Sequence, residues 1–345
     1  MFVIKQSFQK FDQIDLFIGE NAFSSISKLK KWINFEKVKF PPMKKIYTII
    51  LLLTISCGLK AAIFTSIATG DWQAPGTWSF VGISASGIPT NADDVTIAAS
   101  NTVTLTATAS AKNLITNSTG LLKMNLHTIL VYGNLTNNGN VTGSGSILFH
   151  AVGTFSGTNM LTINGSFYFY YDYTISAGCI LSVTGSIVIS SGANVINNGS
   201  MAATSTVNML GASSSFTNGP GAVIWFGTSL SLLGTLNASA VNNTVVYYNS
   251  ASSNIRATTY YNLLLGNKTS ACSRKLIGNI IVLKNLTIGN NNTFNWNNFN
   301  ITLGGNWINN ANTTCTNMGT VTFNGAGTQT ISRTSRQAQS RPGRP

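Results

Sequence analysis

Charge is what this sequence has least of. Only 8% of its 345 residues are charged, against roughly a quarter in an ordinary soluble domain. No glutamate follows residue 36, and the long central stretch holds just four acids, Asp71, Asp93, Asp94 and Asp172. A glycosidase of the usual kind needs two carboxylates facing one bond, so that chemistry has little to start from. The formal charge of +13 comes mostly from the ends, with ten lysines in residues 1–60 and four arginines in the last thirteen residues. Between 61 and 332, seven basic residues face the four acids. That is too sparse for the basic stripe that binds a phosphate backbone, so no nucleic acid is expected as partner. Histidine is scarce too: His127 and His150 stand alone, with no cysteine or histidine at zinc-ligand spacing. Four cysteines in a chain this long make no disulfide framework. Cys272 and Cys315 could form a bridge, but buried free thiols are the better reading. Little charge together with much Gly, Asn, Ser and Thr could mean disorder, yet 43% of the residues are hydrophobic, enough to drive folding.

The chain divides by composition. Met43-Lys44-Lys45 opens a segment with an apolar run at 46–55 and small residues up to Ala61-Ala62. Charge, apolar run and small residues in that order read as a secretory signal peptide over 43–62, too short to cross a bilayer as a helix. Translation is then expected to start at Met43, with residues 1–42 a mis-assigned upstream segment. A secreted or outer-surface location follows, with no membrane span once the signal is removed. Residues 63–332 form the body. Residues 333–345 change style abruptly into a basic tail, so the array reads as a truncated fragment.

The body carries no helical periodicity. Short alternating runs, such as Val95-Thr96-Ile97, Val103-Thr104-Leu105-Thr106 and Ile187-Val188-Ile189, are separated by Asn, Gly and Ser. Period-two alternation rich in β-branched residues predicts strands with one buried face. A unit of apolar strand, Gly, small polar residue and apolar residue recurs at Val131-Tyr132-Gly133-Asn134-Leu135, Ile163-Asn164-Gly165-Ser166-Phe167, Val183-Thr184-Gly185-Ser186-Ile187 and Leu232-Leu233-Gly234-Thr235-Leu236. Gly165 and Gly185 are 20 residues apart, as are Gly305 and Gly325, whereas Gly133 to Gly165 is 32. A quantum near 20 fits one coil of three short strands and three corners. The expected fold is therefore all-β, a right-handed parallel β-helix (β-solenoid) of about 13 coils at the usual strand spacing, with Asn stacking at the corners. Tandem β-sandwich domains are the alternative, since turn signals also recur at shorter intervals.

Two stretches carry a resemblance. Gly70-Asp71-Trp72-Gln73-Ala74-Pro75-Gly76-Thr77-Trp78, followed by Gly87-Ile88-Pro89-Thr90-Asn91-Ala92-Asp93-Asp94-Val95-Thr96-Ile97, resembles the start of repeat-rich bacterial secreted or surface β-helix (adhesin-like) proteins. It is also similar to the opening of the eight-glycine extracellular domain. Asn243-Thr244-Val245-Val246-Tyr247-Tyr248-Asn249, Thr258-Thr259-Tyr260-Tyr261-Asn262-Leu263-Leu264-Leu265, Lys284-Asn285-Leu286-Thr287-Ile288 and Val321-Thr322-Phe323-Asn324-Gly325 look like the same group. The resemblance implies a β-helical surface protein exported by type IX secretion through a C-terminal sorting domain, which this sequence does not contain.

No catalytic, cofactor-binding or metal-ligating residue is assigned. Asp71, Asp93 and Asp94 are the candidate calcium ligands, but the Asp series of a calcium loop is missing, and corner or capping roles suit them better. A polysaccharide lyase or hydrolase is the enzyme alternative, but Asp172 is the only acid in mid-body, and Arg256, Arg274 and Lys275 have no acid near them in sequence. The run Phe167-Tyr168-Phe169-Tyr170-Tyr171-Asp172-Tyr173 is the one binding candidate. Continuous alternation puts Phe167, Phe169, Tyr171 and Tyr173 on one face and Tyr168, Tyr170 and Asp172 on the other. Tyr168 and Tyr170 would then be free to stack on a glycan; interior stacking with ordinary surface tyrosines is the plainer reading. The expected function is a secreted or cell-surface structural or adhesion protein, not an enzyme. Its partners would be extracellular glycans or host and environmental surfaces. A carbohydrate-binding or polysaccharide-degrading β-helix is the alternative.

Overall fold

The structure, a computed structural model, describes residues 61–333 apart from 229, 231–232, 249–251, 267–271, 291 and 311–313. The proposed upstream segment 1–42, nearly all of the signal segment 43–62 and the tail after 333 lie outside the described residues. The described chain is a β-solenoid of about 11 turns.

Three parallel faces wind around one interior. The first face runs from Ile63–Ser66 through Asp94–Ile97, Asn113–Thr116 and Leu135–Asn137 to Thr235–Asn237, and an Ala238–Tyr260 bridge carries it on to Val321–Phe323. The second face starts at Gly70–Asp71 and ends at Ile331–Arg333. The third stacks Ala109–Ala111, Ile129–Val131, Ile147–Phe149, Phe167–Phe169, Ile187–Ile189 and Val207–Met209, and resumes from Ser253–Ile255 to Thr314–Thr316. Among the described residues, the only antiparallel pairing joins Ile63–Ser66 to Trp78–Val81. Parallel stacking on all three faces excludes the sandwich alternative, whose sheets are antiparallel. The winding is not uniform: residues 72–93 leave its path, and the third face has no named strand between Met209 and Ser253.

Alternation explains each strand. Ile147–Phe149, Phe167–Phe169 and Ile187–Ile189 all bury their outer two residues and turn the middle one outward. Register then stacks like on like: Ile147, Phe167, Ile187 and Val207 form one interior column, and Phe149, Phe169, Ile189 and Met209 another. A single turn has no second layer to bury these residues against, so each depends on its neighbours.

The corners account for the irregular spacing in the sequence. Gly133 joins the third face to the first, while Gly165 joins the second to the third, so their 32-residue interval mixes two different corners. Within one corner the spacing is regular. Gly145, Gly165 and Gly185 lie directly over one another, and a β-carbon on Gly165 would collide with the Gly145 carbonyl oxygen. This column needs glycine for close approach rather than for an unusual φ.

Asparagine works differently from the amide stacks expected. Several asparagines at or beside the corners use their side-chain oxygen to accept the backbone N–H of the next turn. Asn113 Oδ1 accepts from Asn134 N at 2.7 Å, Asn134 Oδ1 from Thr154 N at 2.9 Å, Asn285 Oδ1 from Asn306 N at 3.1 Å and Asn306 Oδ1 from Thr330 N at 2.9 Å. The donors lie 20 to 24 residues further on. An amide-to-amide bond does occur inside, where Asn197 Nδ2 donates to Asn218 Oδ1 at 2.9 Å, both side chains fully buried. Corner backbone groups that the sheets leave without partners are satisfied in this way without charge.

The two ends differ. At the start, Trp72 and Trp78 pack edge to face with centroids 5.1 Å apart, and Trp78 Nε1 donates to Trp72 O at 2.9 Å. Phe64 packs against Trp78 as well. The Gly70–Trp78 stretch that carries the family resemblance is thus a lid over the first turn. At the other end, Phe323 and Ile331 are 38% and 72% exposed.

Candidate functional site

The acids considered for metal are spent on the fold. Asp93 is buried, with Oδ1 accepting from Ala62 N at 2.8 Å and Oδ2 from Thr90 N at 2.8 Å and Thr90 Oγ1 at 2.6 Å. Asp71 accepts from Gln73 N and Thr106 Oγ1, and Asp94 from Asn113 Nδ2. Each ties a loop or turn to its neighbour. Among the described residues no group of three or more His, Cys, Asp or Glu side chains is placed to hold a metal ion.

The mid-body charges are just as dispersed. Asp172 lies on the exposed corner between third and first faces, where Oδ1 accepts from Asn194 N at 2.8 Å and Asn194 Nδ2 at 3.0 Å. Arg274 belongs to a turn five strand spacings further along, about 24 Å away along the stack. It does not face solvent at all. Fully buried, it donates to Ser253 Oγ at 2.8 Å and Gly266 O at 3.1 Å, and burial pushes its pKa below the usual guanidinium value.

Around Arg274 the interior turns polar, which the sequence did not announce. Tyr247 and Tyr260 bring their hydroxyls to 3.2 Å, Tyr260 donates to Arg256 O at 2.7 Å, and Arg256 N donates to Tyr247. Burial pushes both phenols above their ordinary value. Arg256 reaches back to the Leu233 and Gly234 carbonyls. Cys272 Sγ donates to Asn292 Oδ1 at 3.0 Å, and Asn292 Nδ2 donates to Leu265 O and Gly289 O. Cys272–Leu276 pairs with Asn292–Asn295, which pairs with Thr314–Thr316. Cys272 and Cys315 are therefore two strands apart, about 9.6 Å, beyond disulfide reach. Cys179, Cys272 and Cys315 are free thiols.

The aromatic run reaches the surface in part. Phe167 and Phe169 point inward, and so does Tyr173, from the following strand. Phe149 sits at their centre, with ring centroids 5.6 Å from Phe167, 5.0 Å from Phe169 and 4.1 Å from Tyr173. Tyr173 OH lies within hydrogen-bonding distance of the Gly133 and Thr154 carbonyls, which share its one proton, and burial drives its phenol far above the ordinary range. The expected inward position of Tyr171 is wrong. Residues 170–172 form a corner, which resets the alternation and leaves Tyr171 52% exposed.

Tyr168 and Tyr170 both lie outside, in different settings. Tyr168 is the half-buried middle residue of its strand, level with Leu148 and Val188. Tyr170 begins the corner and belongs to a column of its own. His150 stacks on Tyr132 with centroids 5.3 Å apart and on Tyr170 at 4.5 Å. The imidazole is thus sandwiched between two phenol rings, its Nε2 buried without a hydrogen-bond partner. His150 carries a role in this stack that spacing rules for metal ligands could not reveal. His127 sits in the corner before Ile129–Val131, where its backbone N–H donates to Met124 O.

Among the described residues no helix is long and apolar enough to cross a membrane. No protein-family model, curated protein or solved structure matches this chain.

Proposed function

We propose that this chain is a secreted or cell-surface structural protein, a rigid solenoid that displays or adheres and performs no catalysis of its own. One observation carries the reading: the four acids of the body are bound into the fold, with Asp71, Asp93, Asp94 and Asp172 each accepting from the chain's own donors, and Arg274 is buried in the interior. Acid–base work on a substrate needs such groups converging on one reactive position, and here they are spread along the stack. Its partners would be extracellular glycans or host and environmental surfaces, met by the outward tyrosines. The type IX route belongs to the same proposal and rests on the resemblance of the Gly70–Trp78 stretch and the later repeats.

Two measurements test it. Antibody labelling of intact cells and of culture medium should find the protein outside, and detection only after lysis overturns the surface assignment. Incubation with plant and algal polysaccharides should release no reducing or unsaturated sugar. Turnover that disappears in Asp172→Asn would establish the polysaccharide-degrading alternative instead.

A further inference from the structure

The corner column that holds Tyr132, His150 and Tyr170 continues with Ser190 and Leu210. Backbone bonds fix this order: His150 N donates to Val131 O, Tyr170 N to Phe149 O, Ser190 N to Phe169 O and Leu210 N to Ile189 O. Successive members lie one strand spacing apart, about 4.8 Å. The rings of the first three stack on one another along the column, which uses up both faces of His150 and one face of Tyr170. The other face of Tyr170 looks toward Ser190, whose side chain is too short to cover it. Tyr170 is accordingly 40% exposed, and Leu210 beyond it is 57% exposed. Tyr170 and Leu210 thus flank a notch about 9.6 Å across from column position to column position. A saturated six-membered ring held between two apolar groups at van der Waals distance needs about 7–8 Å, so one such ring fits.

We propose that this notch is a subsite for one hexopyranose ring of a neutral polysaccharide, its apolar C–H face resting on the open face of Tyr170. The inference rests on the glycan-contacting part of the reading above and names the place and the chemistry. The stack behind Tyr170 holds that ring in one orientation, so a ligand meets a prepositioned surface. The exposed corner residues Ser191 and Asp172 supply hydroxyl and carboxylate groups suited to sugar hydroxyls. Charge selects the class. Asp172 is the acid of this corner, and the column's lysine, Lys112, lies three spacings below Tyr170, about 14 Å away. An anionic glycan would meet repulsion without a compensating cation. Tyr168, on the flat of the third face, lies outside the notch.

Affinity electrophoresis of the full chain in native gels tests this, with hydroxyethylcellulose, galactomannan, laminarin and mixed-linkage β-glucan as neutral probes and alginate as the anionic one. Retardation by at least one neutral polysaccharide is expected, with none by alginate. Tyr170→Ala should weaken it at least about tenfold, the scale of losing a principal aromatic contact. Ser190→Tyr extends the stack into the notch and should abolish binding while leaving the circular dichroism spectrum and melting temperature unchanged. Tyr132→Ala, at the far end of the stack, should bind within about twofold of the parent. Retardation that survives Ser190→Tyr and Tyr170→Ala overturns the notch and leaves the glycan partner standing. No retardation by any neutral probe overturns both, while the surface location is decided separately by the labelling experiment.

Discussion

Replacing Phe149 by alanine probes the shared interior at its most crowded point. The ring is fully buried and lies within 4.1–5.6 Å, centroid to centroid, of Tyr173, Phe169 and Phe167, all of them one turn further along the chain. Truncating a buried phenylalanine costs about 3–5 kcal/mol through lost transfer energy and the cavity left behind. The upper half of that range applies here, because three rings lose a partner and β-strands pinned by neighbours on both sides cannot collapse into the gap. By the usual conversion this raises the opening equilibrium by roughly three to three and a half orders of magnitude. Hydrogen exchange followed by mass spectrometry resolves where it falls. Protection should drop in Ile129–Val131, Ile147–Phe149 and Phe167–Phe169, whereas Ile280–Val282 should change little, because solenoid turns couple mainly to their nearest neighbours. Tyr170→Ala, outside the wall, should alter exchange by less than about 0.5 kcal/mol. A loss below about 1 kcal/mol for Phe149→Ala, or equal losses for the two variants, refutes the placement of that ring in a common core.

Asn197→Ala strands the Asn218 side-chain oxygen and the Gly199 N–H that the amide now serves, and should cost about 2–4 kcal/mol in chemical denaturation. Gly165→Ala drives a methyl group into the Gly145 carbonyl, so a loss of about 1–3 kcal/mol is expected from thermal melts, while Gly178→Ala, with open space around its Cα but a positive φ of 80°, should cost about 1 kcal/mol. Tyr173, Tyr247 and Tyr260 have folded-state pKa values raised above the ordinary 10.0 by burial. The neutral phenols therefore contribute their full stability below pH 10, and that contribution falls as pH climbs past 10, because only the unfolded chain releases those protons. Absorbance at 295 nm should show these three ionising together with unfolding, and their titration in the folded protein would contradict their burial.

Much of this architecture was legible because a solenoid repeats its physics. Val95-Thr96-Ile97 and Ile187-Val188-Ile189 alternate as half-buried strands must, and the structure buries their outer residues as that pattern requires. What escaped was set by the corners. Nothing in Phe-Tyr-Phe-Tyr-Tyr-Asp-Tyr shows that the chain bends at 170–172, so simple alternation points Tyr171 inward when it faces solvent. Glycines of two different corners look alike in sequence, which blurred the period between Gly133 and Gly165. Arg274 was the least readable, since Cys-Ser-Arg-Lys-Leu reads as a strand with its charges outside, yet register turns the arginine in and leaves Lys275 exposed. The His150 stack was hidden for a related reason: Tyr132, His150 and Tyr170 are neighbours only once the turn length is known, and that length varies from corner to corner.

The central claim is that successive turns advance by one strand spacing around a common interior. Pulsed electron–electron resonance between spin labels on one outward row tests it most directly, using the full chain with Cys57, Cys179, Cys272 and Cys315 replaced by serine and a cysteine introduced at each labelled position. Ser182 and Thr287 lie on that row five spacings apart, and Ser182 and Ser332 seven. Labels at the first pair should be about 24 Å apart and at the second about 34 Å, both narrowly distributed. Distances that do not differ by about 10 Å, or a broad distribution for either pair, would contradict a single continuous stack.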